Sequence, residues 1–237
     1  MTQQLSGPRI PAANGKADRL VVFCHGYGAD GNDLIGLGSQ WRRILPTAAF
    51  VSPHAPERCA MSPMGYQWFP ITRLQPEEMT RGVERAAPTL NAFIDSELAR
   101  QGLDGSRLAL VGFSQGTMMS LHVGLRRQTP PAAIVGFSGA LPGAENLPAE
   151  IQGRPPVLLT HGDADDMIPV QAMFAAANGL AAAGVATRWH VSRGIGHGIG
   201  PDSLDLAGQF LVDAFAGRCA VEAKNAPCTW PELATAS

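Results

Sequence analysis

No run of basic residues appears in the 237-residue chain, and its formal net charge is −2. That balance projects no long-range field toward a nucleic-acid backbone, so no nucleic-acid partner is expected. The densest positive cluster, Arg42 and Arg43, reads as decoration of a helix face. No apolar stretch reaches the roughly 18 residues that a membrane-spanning helix needs. Residues 1–18 are polar, rich in Gly and Pro, and lack the apolar centre of a secretory signal, so a cytoplasmic protein is expected. Four cysteines are too few and too scattered for a disulfide framework, and their spacing matches no zinc pattern. Cys24 lies in an apolar run and reads as a small core residue. Cys59, Cys219 and Cys228 leave a disulfide open, which a reducing cytoplasm disfavours. Internal repeats and low-complexity tracts are also missing.

What is present is an ordinary globular composition. Apolar residues make up 45% of the chain, enough for a sizeable core, and the length suits one domain over residues 1–237. Its core should run from about 19 to 216, with an N-terminal segment 1–18 and a C-terminal extension 217–237. Short β-branched runs alternate with longer helical patterns. The runs at 19–24 (RLVVFC), 48–52, 107–113 (RLALVGF), 132–137, 156–160 and 186–191 read as strands. Near-continuous apolar runs suit strands buried on both faces. Met79, Val83, Ala86, Leu90, Phe93, Ile94 and Leu98 recur at three- and four-residue steps, a helix with one apolar face. Pro88 should kink or restart it. Residues 115–127, 170–183 and 203–215 read as further helices. Much of the segment 45–76 has little periodicity and several prolines, and reads as a long loop over one sheet edge. The fold class implied is α/β, a mostly parallel central sheet with helices on both faces.

The sharpest motif is Gly112-Phe113-Ser114-Gln115-Gly116, between the strand LALV and the helical pattern TMMSLHVGLRR. A nucleophile on a tight strand-to-helix turn needs small residues two positions to either side, where a side chain would strike neighbouring backbone. The turn lifts the serine hydroxyl above the sheet and sets it at a helix N-terminus, which favours developing negative charge. Gly136-Phe137-Ser138-Gly139-Ala140 looks similar but lacks the second glycine and a following helix, so Ser138 reads as a turn residue.

A serine alcohol needs an adjacent base. Downstream come two loops at strand ends, where open α/β sheets gather their sites. One is His161-Gly162-Asp163-Ala164-Asp165-Asp166 and the other is Gly194-Ile195-Gly196-His197-Gly198. His197, flanked by glycines and preceding the last helix, is the best base. His25 and His161 each precede Gly at a strand end and read as structural hydrogen-bonders. His54 lies in a Pro-rich loop, His122 in a helix and His190 in a strand. Asp163, Asp165 and Asp166 share one turn, and spacing alone does not separate them. One should face the imidazole while the others cap a helix or face water. An oxyanion hole needs two aimed donors. The backbone N–H of Gln115 is one, and that of Tyr27, in the Gly-rich loop 25–33 after the first strand, is the natural second. Gly26, Gly28 and Gly31 also match a dinucleotide spacing, but the loop is already accounted for by the serine chemistry.

With these pieces in place the chain resembles the phospholipase/carboxylesterase family, which includes acyl-protein thioesterases. The resemblance spans about residues 20–215. It rests on HGYGADG (25–31), SPHAP (52–56), WF (68–69), GFSQG (112–116), FSGALP (137–142), HGDADDMIP (161–169) and GHG (196–198). It implies an α/β-hydrolase fold, no cofactor, and Asp165 as the acid that orients the base. It also implies Tyr27 and Gln115 as oxyanion donors. The sequence departs from the family pattern at Pro70, where an Asp commonly follows WF, and in the tail 217–237, which has no counterpart.

The expected reaction is attack of Ser114 on a carboxylic ester with His197 as base, followed by hydrolysis of the acyl-enzyme. The substrate is expected to be a small ester, first of all a short aliphatic or aryl one. Thioesters of acyl-proteins and lysophospholipids are the alternatives within the family. Trp68, Phe69 and Leu74, with Met64 and Tyr66, should wall the acyl pocket, joined by Met167 and Ile168 beside the acid. Met118 and Met119 read first as core filler. An amidase would use the same residues, and a non-catalytic binding protein on this fold would usually lack one of them. Homodimer formation stays open.

Overall fold

A computed structural model describes residues 4–219. Its centre is a seven-stranded sheet in the order β1-β3-β2-β6-β7-β8-β9. These strands are β1 (Arg9–Ile10), β2 (Arg19–Cys24), β3 (Ala48–Val51), β6 (Leu108–Phe113), β7 (Ala133–Phe137), β8 (Val157–Gly162) and β9 (Thr187–Ser192). Only β1 runs antiparallel, against β3. Between β3 and β6 an antiparallel hairpin, β4 (Glu57–Cys59) and β5 (Ser62–Gln67), stands apart as its own two-stranded sheet. The helices are α1 (Gly31–Trp41), α2 (Pro76–Gln101), α3 (Gln115–Leu125), the short α4 (Leu147–Glu150), α5 (Gln171–Ala182) and α6 (Pro201–Phe215).

Alternation along the buried strands builds two cores. Leu20, Val22, Leu108 and Leu110 pack with α2, α3 and α5. Val21, Phe23, Ala109 and Val111 pack with Leu34 and Trp41 of α1 and with Phe210 and Leu211 of α6. Successive side chains of a strand point to opposite faces, so these runs are apolar throughout. The result is the mostly parallel sheet with helices on both faces that the sequence implied.

Two expectations need correction. First, α2 does not restart at Pro88 but runs unbroken from Pro76 to Gln101. Pro88 faces water, so the carbonyl it leaves unpaired one turn earlier can be hydrated, while Val83, Ala87, Leu90 and Ile94 anchor the buried face. Second, the expected long loop carries the β4–β5 hairpin. Chain order places β3 on one side of β2 and β6 on the other. The C-terminal ends of β2 and β6 thus flank the point where the strand order reverses, the usual place for a site in such sheets.

Candidate active site

Ser114 joins β6 to α3 at φ 55° and ψ −115°, a conformation that side chains rarely adopt. Its N–H donates to the Phe137 carbonyl of β7 at 2.9 Å, and its carbonyl accepts from the N–H groups of Thr117 and Met118. The turn closes only because its flanks are bare. A Cβ on Gly112 would strike the Gly116 carbonyl, and one on Gly116 would strike that of Cys24.

The loop after β2 passes directly beside this turn. A Cβ at Gly26 would lie 3.4 Å from the Ser114 Cβ. His25 pins the loop. It is fully buried, its Nε2 lies 2.9 Å from the Ala55 N–H, and its Nδ1 lies 2.8 Å from the Gly26 carbonyl. A backbone N–H only donates, so Nε2 accepts and the ring proton sits on Nδ1. Burial pushes the His25 pKa down to about 4, which keeps the ring neutral. Neither the Tyr27 nor the Gln115 N–H donates to any acceptor among the described residues. Gln115 opens α3, where the first N–H groups have no helical partner.

The Gln115 side chain does something the sequence did not announce. Its Oε1 accepts the Trp68 N–H at 2.9 Å and its Nε2 donates to the Phe69 carbonyl at 2.8 Å. The residue after Ser114 thereby fastens the 68–69 segment to the turn.

The acidic turn after β8 and the glycine loop after β9 meet. The His197 Nδ1 lies 2.8 Å from the Asp165 Oδ2. The Asp165 Oδ1 accepts from the N–H groups of Met167 at 3.0 Å and Ile168 at 2.9 Å. Burial would raise the Asp165 pKa, but the His197 bond and these two N–H groups outweigh it and hold it below the usual carboxylate range. An ionised Asp165 requires the proton on Nδ1 of His197, leaving Nε2 to accept. Asp163 instead accepts the Gly194 N–H at 2.6 Å and braces the histidine loop. Asp166 is exposed and makes no side-chain bond among the described residues. Phe113, the residue before Ser114, packs its ring 5.0 Å from that of His197. Ser138 sits at φ 46° and donates to the Gly198 carbonyl, a link from β7 to the histidine loop that no spacing signalled.

A cleft of about 300 Å³ lies beside these groups, lined by Leu74, Met79, Met118, Leu141, Met167 and Ile168 among others. Met118 is one turn beyond Ser114 and forms part of its floor. Leu74, Met167 and Ile168 stand where the sequence expected wall residues. Trp68 and Phe69 do not. They are 1% and 0% exposed, with the Trp68 Nε1 donating to the His25 carbonyl at 3.0 Å. Phe69 fills the space that Gly82 leaves on α2. They are supports behind the site rather than its wall. Tyr66 stacks on His54, and Met64 stands exposed on the hairpin. A larger hollow of about 560 Å³, lined by Asn91, Asp95, Arg126 and Arg127, contains none of the candidate residues.

Among the described residues no three His, Cys, Asp or Glu side chains converge so as to hold a metal ion, and no helix is long and apolar enough to cross a membrane. Cys24, Cys59 and Cys219 are buried without a disulfide. Cys228 and the extension from residue 220 onward lie outside the described residues.

The chain is similar to known proteins over most of its length. The phospholipase/carboxylesterase family model matches residues 5–214. Acyl-protein thioesterase 1 of Gibberella zeae is 29% identical over 219 residues, 85% of this chain and 92% of its own. The crystal structure of esterase PE8 superposes with a TM-score of 0.87 at 46% identity, covering 90% of this chain and all of that one. Acyl-protein thioesterase 2 of Zea mays, at 22% identity and a TM-score of 0.66, covers 89% of this chain and 99% of its own and shares the fold. The chain belongs to the phospholipase/carboxylesterase family, a family of serine hydrolases.

Proposed function

We propose that the protein is a serine carboxylesterase acting on short-chain carboxylic esters through an acyl-enzyme. The observation that carries this reading is the 2.8 Å Asp165–His197 bond beside a serine held at positive φ on a strand-to-helix turn. Ser114 Oγ attacks the ester carbonyl while Nε2 of His197 takes its proton, and Asp165 stabilises the imidazolium. The oxyanion forms between the N–H groups of Tyr27 and Gln115, each worth on the order of 3 kcal/mol in the transition state. His197 then protonates the departing alcohol, and water attacks the acyl-enzyme with His197 again as base. The cleft takes the acyl group. Its volume of about 300 Å³ is near the lower end for small-molecule sites and favours a short acyl chain.

Hydrolysis of p-nitrophenyl esters of increasing acyl length, by wild type and by Ser114→Ala, tests the reading. Activity greatest on short chains and lost in the variant is the expected result. Activity that is still climbing at long chains moves the assignment to acyl-protein thioesters or lysophospholipids. Activity retained by Ser114→Ala removes the nucleophile.

A further inference from the structure

We infer that His161 is a positioning residue of this site, a second histidine that shares the Asp165 carboxylate with His197 and governs how strongly that carboxylate engages the base. The inference rests on reading Asp165 and His197 as acid and base.

His161 lies near the C-terminal end of β8, and its side chain is wholly buried. Its Nε2 lies 2.7 Å from the Ile168 carbonyl and 3.1 Å from the Asp165 Oδ2. Two oxygen acceptors around one nitrogen require a proton there. Nδ1 is buried with no partner among the described residues. A proton on Nδ1 would be a buried donor aimed at nothing, so the bonding pattern selects the Nε2–H tautomer with Nδ1 bare.

The consequence falls on Asp165. Its Oδ1 receives two backbone N–H groups and its Oδ2 receives His197, while the His161 Nε2, bonded to the Ile168 carbonyl, stands 3.1 Å from that same Oδ2. Three hydrogen bonds and this one polar contact fill the surroundings of the carboxylate, which has about four acceptor positions. Filling fixes the carboxylate plane and aims Oδ2 at Nδ1 of His197. It also sets the positive end of the His161 N–H dipole close to Oδ2, beside the His197 bond. Removing His161 frees the carboxylate to turn, and leaves the Oδ2 charge to His197 alone. The first effect slows turnover and the second stabilises the imidazolium. The other groups around His197 stay in place. They are the apolar Phe113 ring, Asp163 on Gly194, Arg193 in the same loop, and Asp202, which holds Ser192 and His190 at the loop base.

Steady-state kinetics on p-nitrophenyl butyrate between about pH 5 and 9 test this, with thermal unfolding recorded for wild type, His161→Leu and His161→Gln. Folded His161→Leu should lose on the order of tenfold to a hundredfold in kcat with KM little changed, a misplacement cost. Its acid limb should move up by about half a pH unit. His161→Gln, which offers an N–H in the same region, should recover most of both. NMR titration of the His197 ring reads the same displacement without turnover, and where His161→Leu fails to fold, His161→Asn, whose shorter amide does not reach Asp165, takes its place in both measurements. An acid limb and a ring titration both unmoved in folded His161→Leu or His161→Asn overturn the inference, as does a kcat loss matched by the unfolded fraction. Wild type without esterase activity, or an active Ser114→Ala, instead sinks the underlying assignment, and the NMR comparison still decides the role of His161.

Discussion

Asp165 and His197 come from loops 32 residues apart in sequence and meet at 2.8 Å, while Asp163, two residues away on the same turn, binds the backbone of Gly194. One turn thus holds an acid that contacts the imidazole, an acid that braces its loop, and a third, Asp166, that faces water. Asp165→Asn should lower kcat by on the order of 10⁴-fold, because an amide stabilises the wrong imidazole tautomer and no imidazolium. Asp163→Asn should cost about tenfold or less, through a looser loop, and Asp166→Asn should be neutral. The kcat of the three variants on one ester decides it, and a larger loss at Asp163 than at Asp165 reverses the assignment.

The sequence exposed some of this and hid the rest for physical reasons. The parallel strands were legible because burial on both faces forces apolar runs such as LALVGF. The serine turn was legible because Gly112 and Gly116 have no substitute at those distances. Helix α1 was not anticipated, since Gly36 and Gly38 weaken its pattern. Gly38 is required by the Phe50 ring, which a Cβ would approach to 2.9 Å. The β4–β5 hairpin was hidden by Pro63 and Gly65, residues that propensity keeps out of strands. Trp68 and Phe69 looked like pocket wall because large aromatics in a loop read as a binding surface. The bonds from Gln115 that turn them inward leave no trace in spacing.

Those two bonds give a second prediction. Gln115→Ala keeps the backbone N–H but strands the Trp68 N–H and the Phe69 carbonyl in the interior. Each unsatisfied group costs about 1–3 kcal/mol. The variant should unfold at lower denaturant concentration, and kcat should fall by on the order of tenfold as the 68–69 segment loosens. An unchanged unfolding midpoint would show that the clamp contributes nothing.

Acid should destabilise the protein well before its carboxylates titrate. Burial pushes the pKa of His25 and of His122 from 6.5 down to about 4; at His122 the nearby Arg126 charge adds to the effect. Between those values the unfolded chain binds a proton at each position and the folded chain does not. The stability these rings confer is therefore complete above pH 6.5 and is lost as pH falls toward 4, by up to about 1.4 kcal/mol per pH unit for each. Denaturant unfolding from pH 7 to 4.5 should show this slope, and His122→Gln, away from the site, should remove about half of it. A slope unaltered in that variant would exclude His122 as a source.

With the acyl group in the cleft between Leu74, Met118 and Ile168, as proposed, the acyl preference becomes a matter of volume. Each methylene that enters an apolar wall gains about 0.8 kcal/mol. That amounts to roughly fourfold in kcat/KM per added carbon, until the chain meets the end of the cleft. Ala172 lines the cleft just inside α5 and presents only a methyl group to it. Ala172→Phe should fill part of the space, leave acetate hydrolysis nearly unchanged, and bring the fall-off to a shorter chain. The pattern separates steric loss from general damage, because damage lowers every ester by the same factor. If the variant keeps the wild-type chain-length profile, the acyl group lies elsewhere, and the alcohol side of the substrate becomes the occupant of this cleft.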